Sequence, residues 1–176
     1  MIFYCVHELE YINKFKDKEY LENDLSYSEL YKYPNFARAY KWMEHKMRQR
    51  LKNYDGENLL WLWTTLPEEI SDFNEWDIGK TFVTLKVDIP EEDVLLSDFI
   101  AWHYILNNAP IKFYEGENIK KKPSWERIFD FKLLKRYGSY ITDSNDIQGT
   151  TGKIPMKNVE IIRYQTITKE DYDGQD

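Results

Sequence analysis

The chain has 176 residues, 42% hydrophobic and 31% charged, which is enough apolar material for one folded domain and leaves little length for two. A formal net charge of −7 excludes a surface that binds phosphates throughout, because non-specific nucleic-acid affinity needs clustered Lys and Arg. Cys5 is the single cysteine, which excludes an intramolecular disulfide and a thiolate-rich metal site and predicts a cytoplasmic location.

Ile2 to Val6 is short, apolar and partly β-branched, so it reads as a strand. In HELEYINKF, Leu9, Ile12 and Phe15 recur at helical spacing, which predicts a helix straight after it. MIFYCVHELEY lacks a basic region ahead of its apolar run, so no signal peptide is expected, and no later run reaches the roughly 18 apolar residues of a membrane span. KDKEYLENDLSYSELYKYP reads as a loop with at most one helical turn, and Pro34 biases Tyr33 away from helical geometry.

Asn35 is placed to cap a helix over FARAYKWMEHKMRQRL, in which Phe36, Tyr40, Met43, Met47 and Leu51 form one apolar stripe. Lys41, Lys46, Arg48, Arg50 and Lys52 decorate its other face, read as solvated, with a local nucleic-acid patch as the competing reading. NYDGEN is a turn, and LLWLWTT after it is too short for a typical helix and rich in strand formers. EEISDFNEWDIG reads as a helical turn or covering loop, and TFVTLKVDIP as a strand ending at Pro90.

The densest stretch is VLLSDFIAWHYILNN, Val94 to Asn108. A helix beginning near Phe99 is capped by Ser97 or Asp98, and Asn107 or Asn108 ends it in left-handed geometry before Pro110. Lys120 to Lys122 make a basic turn, and PSWERIFDFKLLKRYG reads as a second amphipathic helix from Pro123-Ser124 to Gly138. NVEIIRYQTI is a further strand, and KEDYDGQD a frayed acidic tail. The order of elements predicts an α+β fold. Residues 1–168 form one compact domain with a mixed or mainly antiparallel sheet and several packed helices, and 169–176 form the tail.

Catalytic motifs are sparse. Ser97 is not in a G-x-S-x-G elbow, and His7, His45 and His103 have neither H-E-x-x-H spacing nor cysteine support, so no metal site is expected. GTTGK, Gly149 to Lys153, superficially resembles a phosphate cradle but has the wrong spacing and reads as a turn. Trp61, Trp63, Asp98, Trp102 and His103 are the side chains expected to line an aromatic, polar-edged groove for a protein or small-molecule ligand; the competing reading places the tryptophans in the core.

The segments AYKWMEHKM, LLWLWTT, VLLSDFIAWHYILNN, SWERIFD and IQGTTGKIPMKNVEII resemble a family of small bacterial proteins described as domain of unknown function 3841. That resemblance runs from the first strand to the last and implies no activity. The layout also bears a more distant resemblance to ADP-ribosyltransferase-like domains, which implies an NAD-holding cleft. By position the implied roles fall on Cys5 or His7, on Thr64 or Thr65, and on Gln148. Gln148 departs from the acidic residue of that pattern, since an amide carries no negative charge to stabilise an oxocarbenium-like state.

Overall fold

The computed structural model describes residues 1–23, 34–68, 73–137 and 147–173. Among these, the strands of the main sheet are β1 (Ile2–Glu8), β3 (Leu60–Trp63), β4 (Thr81–Asp88), β5 (Leu95–Asp98), β6 (Ile147–Thr151) and β8 (Val159–Thr166). They lie in the order β5-β6-β3-β1-β4-β8, and every described pairing is antiparallel. A ribbon of β2 (Tyr20–Leu21) and β7 (Ile154–Pro155) stands apart. The helices are α1 (Leu9–Asn13), α2 (Pro34–Arg50), α3 (Phe99–Leu106), α4 (Lys121–Ser124), α5 (Phe131–Tyr137) and α6 (Lys169–Asp173). This is the α+β class that the sequence predicts.

Side-chain alternation along the strands divides the interior in two. Phe3 and Cys5 of β1, Leu60 and Leu62 of β3, and Val83, Leu85 and Val87 of β4 join one core, closed by Ile12 of α1, Phe15, and Leu21 and Ile154 of the ribbon. On the other face, Trp61 packs against a core built from Tyr40, Met43 and Met47 of α2, Ala101, Trp102 and Ile105 of α3, and Trp125 and Ile128. Met43, Met47 and Ile105 are fully enclosed, each burial being worth about 1.5–3 kcal/mol relative to exposure.

Several elements differ from their sequence expectation for local physical reasons. The first helix is only Leu9–Asn13, because β1 continues through Glu8 to complete its ladder with Phe82. The long helix begins at Pro34, where a missing N–H costs nothing, rather than after an Asn35 cap. VLLSD contributes β5, a strand hidden in the sequence because the same residues also lead into the cap of α3. The expected helix over 123–138 breaks at Asp130, whose backbone leaves helical geometry and whose Oδ1 accepts from Leu133 N at 2.9 Å to start α5. Residues 169–173 of the expected frayed tail form α6, with Thr168 and Asp171 exchanging hydrogen bonds at its start. Tyr33 and the Gly138 stop lie outside the described residues, as does most of the loop between β2 and α2.

The basic face of α2 is not simply solvated. Lys46 and Arg50 converge on Glu126 at 2.5 and 2.8 Å, and Arg50 lies over the Phe129 ring at 4.1 Å. Arg38 on the same helix donates to the carbonyls of Ile105 and Leu106 and so satisfies the last turn of α3. These contacts lock α2 onto the 3-10 turn Trp125–Phe129 and leave its cations partly spent on the protein itself.

Gly149 in β6 marks the tightest point of the sheet, since a Cβ built there runs into Cγ1 of Val94. Val94 is β-branched and stiff, so Gly149→Ala is expected to lower stability by about 1–3 kcal/mol through overpacking. Urea denaturation checks this, with a lower midpoint at unchanged m-value.

Candidate functional site

Four segments far apart in sequence line a cleft of about 230 Å³, with Tyr20, Asn53, Tyr54, Asp55, Asp93, Lys153 and Asn158 among the lining residues. After α2 the chain turns through Asn53 to Gly56, where a φ of 85° needs glycine. Asp55 then closes the loop on itself: Oδ1 accepts from the amides of Glu57 and Asn58 at 3.1 and 3.2 Å, and Oδ2 from Asn58 Nδ2 at 2.9 Å. The same Oδ2 accepts from Lys153 N, at 3.3 Å, in the turn between β6 and β7. Asn53 Nδ2 donates to Asp93 Oδ1 at 2.8 Å, and Thr151 Oγ1 donates to Asp93 O at 2.8 Å, so the Asp93 corner is fastened both to the Asn53–Asp55 loop and to the end of β6.

The electrostatics follow from these bonds. Partial burial opposes ionisation of Asp55, but donation by Asn58 and by the amides of Glu57, Asn58 and Lys153 outweighs it and holds the carboxyl below its usual range. Lys153 extends over the Tyr20 ring, with Nζ 4.4 Å from the centroid. Two of the segments that build the cleft, NYDGEN and GTTGK, were legible as turns. The GTTGK segment is no phosphate cradle either: Gly149 to Thr151 belong to β6, and the N–H of Lys153 is already given to a carboxylate.

The side chains expected to line a groove lie elsewhere. Trp102 is buried and Trp61 partly buried in the second core, with ring centroids 5.0 Å apart and Tyr40 edge-on to both. Burial pushes the Tyr40 phenol up to about 12. Trp63 meets Phe99 at 4.9 Å, and Phe99 meets His103 at 4.6 Å, forming an aromatic string that ends at the surface. His103 is exposed and its Nδ1 lies 2.9 Å from the carbonyl of Phe99, one turn back in α3. Asp98 is buried as the cap of that helix, with Oδ1 accepting from Ala101 N at 2.5 Å.

Strand register puts two of the side chains that the transferase-like layout implied, His7 and Gln148, on opposite faces of the sheet. Gln148 stands opposite Trp63 and Ser97, on the sheet face that carries Trp61. His7 follows Phe3 and Cys5 on the opposite face, paired with Val83, and stacks on Tyr11 at 4.9 Å. Although His7 keeps part of its surface, crowding by protein pushes its imidazole down to about 4, and burial pushes the Cys5 thiol up to about 12. Thr64, just past the end of β3, donates Oγ1 to Ile147 O at 3.1 Å, beside Gln148 in sequence. Among the described residues, no group of three or more His, Cys, Asp and Glu is placed to hold a metal ion, and no helix is long and apolar enough to cross a membrane.

Ser97 Oγ and Gln148 Nε2 are buried, with residue exposures of 0% and 4%, and neither atom has a hydrogen-bond partner among the described residues. The cap therefore belongs to Asp98 alone. Asp98→Ala is expected to cost about 1–2 kcal/mol, while Ser97→Ala is expected to be neutral or stabilising because it removes an unsatisfied hydroxyl. Thermal unfolding of the two variants checks this; equal losses would contradict the assignment.

A sequence model of the family described as "Domain of unknown function (DUF3841)" matches residues 2–113, from β1 past the end of α3. The match takes in the Asn53–Asp55 loop and Asp93 and stops short of SWERIFD and IQGTTGKIP, a narrower span than the resemblance implied. No curated protein and no solved structure matches the chain. With more than half its length matched, including the SDF-x-x-WH-x-x-LNN stretch that follows the cleft's Asp93 corner, the chain belongs to the DUF3841 family.

Proposed function

We propose that this protein is a binding domain for a small polar molecule, held in the cleft between the Asn53–Asp55 loop, the Pro90–Asp93 corner and the Thr151–Pro155 turn. The observation that carries the reading is the bracing of that concavity. Asp55 bonds two of its walls together, and Asp93 bonds the third to both, so little ordering remains to be done when a ligand enters. Its volume, about 230 Å³, lies below the range usual for drug-sized ligands and suits a smaller one. Tyrosine rings and convergent side-chain amides and carboxylates supply the mixture of apolar surface and fixed polar groups by which such sites orient a ligand.

Binding is favoured over catalysis by how the reactive side chains are used. Cys5 is sealed in the core, His7 faces away from Gln148, and Asp98 is engaged at a helix start. The reading places the protein in the bacterial cytoplasm, where its one buried cysteine stays reduced.

The test is a fragment screen followed by amide chemical shifts. Ligands of this protein are expected to move the signals of Asp55, Gly152 and Lys153. Asn158→Trp, which plugs the cleft without touching the Asp55 bonds, is expected to abolish those shifts while leaving the melting temperature within about 2 °C, the size of a sub-kcal/mol change. Ligand shifts that survive the plug, or that cluster around Trp63 and His103 instead, would overturn the proposal.

A further inference from the structure

We infer that the ligand of this cleft is a small organic cation, and that Lys153 is its internal competitor. The inference rests on the binding role just proposed and names the chemistry of the same site.

Two donors that an anion could use are already committed. The backbone N–H of Lys153, the donor that a phosphate or carboxylate would use in the turn after β6, is given to Asp55. The Asn53 amide donates to Asp93. What the cleft presents instead is acceptor character: the ionised Asp55, the Asp93 carboxylate with only one oxygen engaged by Asn53, and the face of Tyr20. An aromatic face beside carboxylates is the arrangement that attracts ammonium groups.

The site already holds one. Lys153 Nζ sits 4.4 Å from the Tyr20 centroid, with Lys153, Tyr20, Asp55 and Asp93 all lining the same concavity. Lys153 is exposed and pairs with no carboxylate within salt-bridge distance among the described residues, so it is held there by the ring and its stem alone. An ammonium on a flexible stem is easily displaced by one that also reaches Asp93, since the stem loses rotamer freedom when it is pinned. The chain's net charge of −7 raises the local concentration of cations and lowers that of anions. A cation entering the cleft therefore takes the seat of Lys153, which swings into solvent.

The experiment titrates tetramethylammonium chloride into the full chain at constant ionic strength, with the amide signals of Gly152 and Lys153 as readout and tert-butanol as the uncharged probe of similar shape. Tetramethylammonium is expected to shift both signals, with tert-butanol at least tenfold weaker. Lys153→Met is expected to bind tetramethylammonium about three- to tenfold more tightly, by removing the competitor, and Tyr20→Leu to bind it about tenfold more weakly, the scale of one cation–π contact. Melting temperatures confirm that both variants fold. Unchanged or weaker binding by Lys153→Met overturns the competitor role, and equal binding by Tyr20→Leu overturns the ring as the seat. Tert-butanol binding as well as the cation overturns the ligand class while leaving the cleft as a binding site. If neither probe moves either signal, and fragments too leave the cleft signals in place, the binding role falls with it.

Discussion

Asp55 accepts hydrogen bonds from its own loop at Glu57 and Asn58 and, across the cleft, from the amide of Lys153. Bonds to an ionised carboxylate are roughly twice as strong as neutral ones, and the donors here come from segments almost a hundred residues apart in sequence. The loop after α2 and the turn after β6 are therefore placed relative to each other by one side chain. Gly152 permits the approach: a Cβ there would sit 3.2 Å from Asp55 Oδ1, tight against the carboxylate that makes the bond.

The sheet brings those segments within reach. β6 lies between β3 and β5, so the loop leading into β3, the corner leading into β5 and the turn leaving β6 all emerge at one end of the sheet. Gly149 lets β6 pass close beneath Val94, and Thr151 ties the end of β6 to the Asp93 carbonyl. One core then packs against each face of the sheet. The helical layer is itself locked by Lys46 and Arg50 on Glu126, and by Arg38 on the end of α3. In the same architecture the most distinctive stretch, SDFIAWHYILNN, supplies a strand edge, a cap, core side chains and, at Asn108 with φ 56°, a left-handed stop.

What the sequence made legible was whatever local chemistry decides. The stripe of α2, the strands around Leu62 and Leu85, the cap at Asp98 and the left-handed asparagine all follow from residues within a few positions of one another. Where two local signals overlapped, one was lost: β5 disappeared behind the cap that it leads into, and the break at Asp130 behind an amphipathic pattern that spans it. The cleft was not legible because its bonds join Asp55 to Lys153 and Asn53 to Asp93, and each residue alone carries only the signature of a turn. The opposition of His7 and Gln148 was hidden for a similar reason. Alternation gives the parity within a strand, but only the pairing of β1, β3 and β6 tells which parities share a face.

The bracing of the cleft by Asp55 is tested most directly by hydrogen exchange at the amides of Asn58 and Lys153, compared between the native chain and Asp55→Ala, with the amides of β4 as an internal reference. The account predicts that the substitution strips protection from Asn58 and Lys153 and leaves β4 protected. A Lys153 amide that stays as slow to exchange without the carboxylate would show that the turn is held by something else, and the cleft would not be the braced site described above.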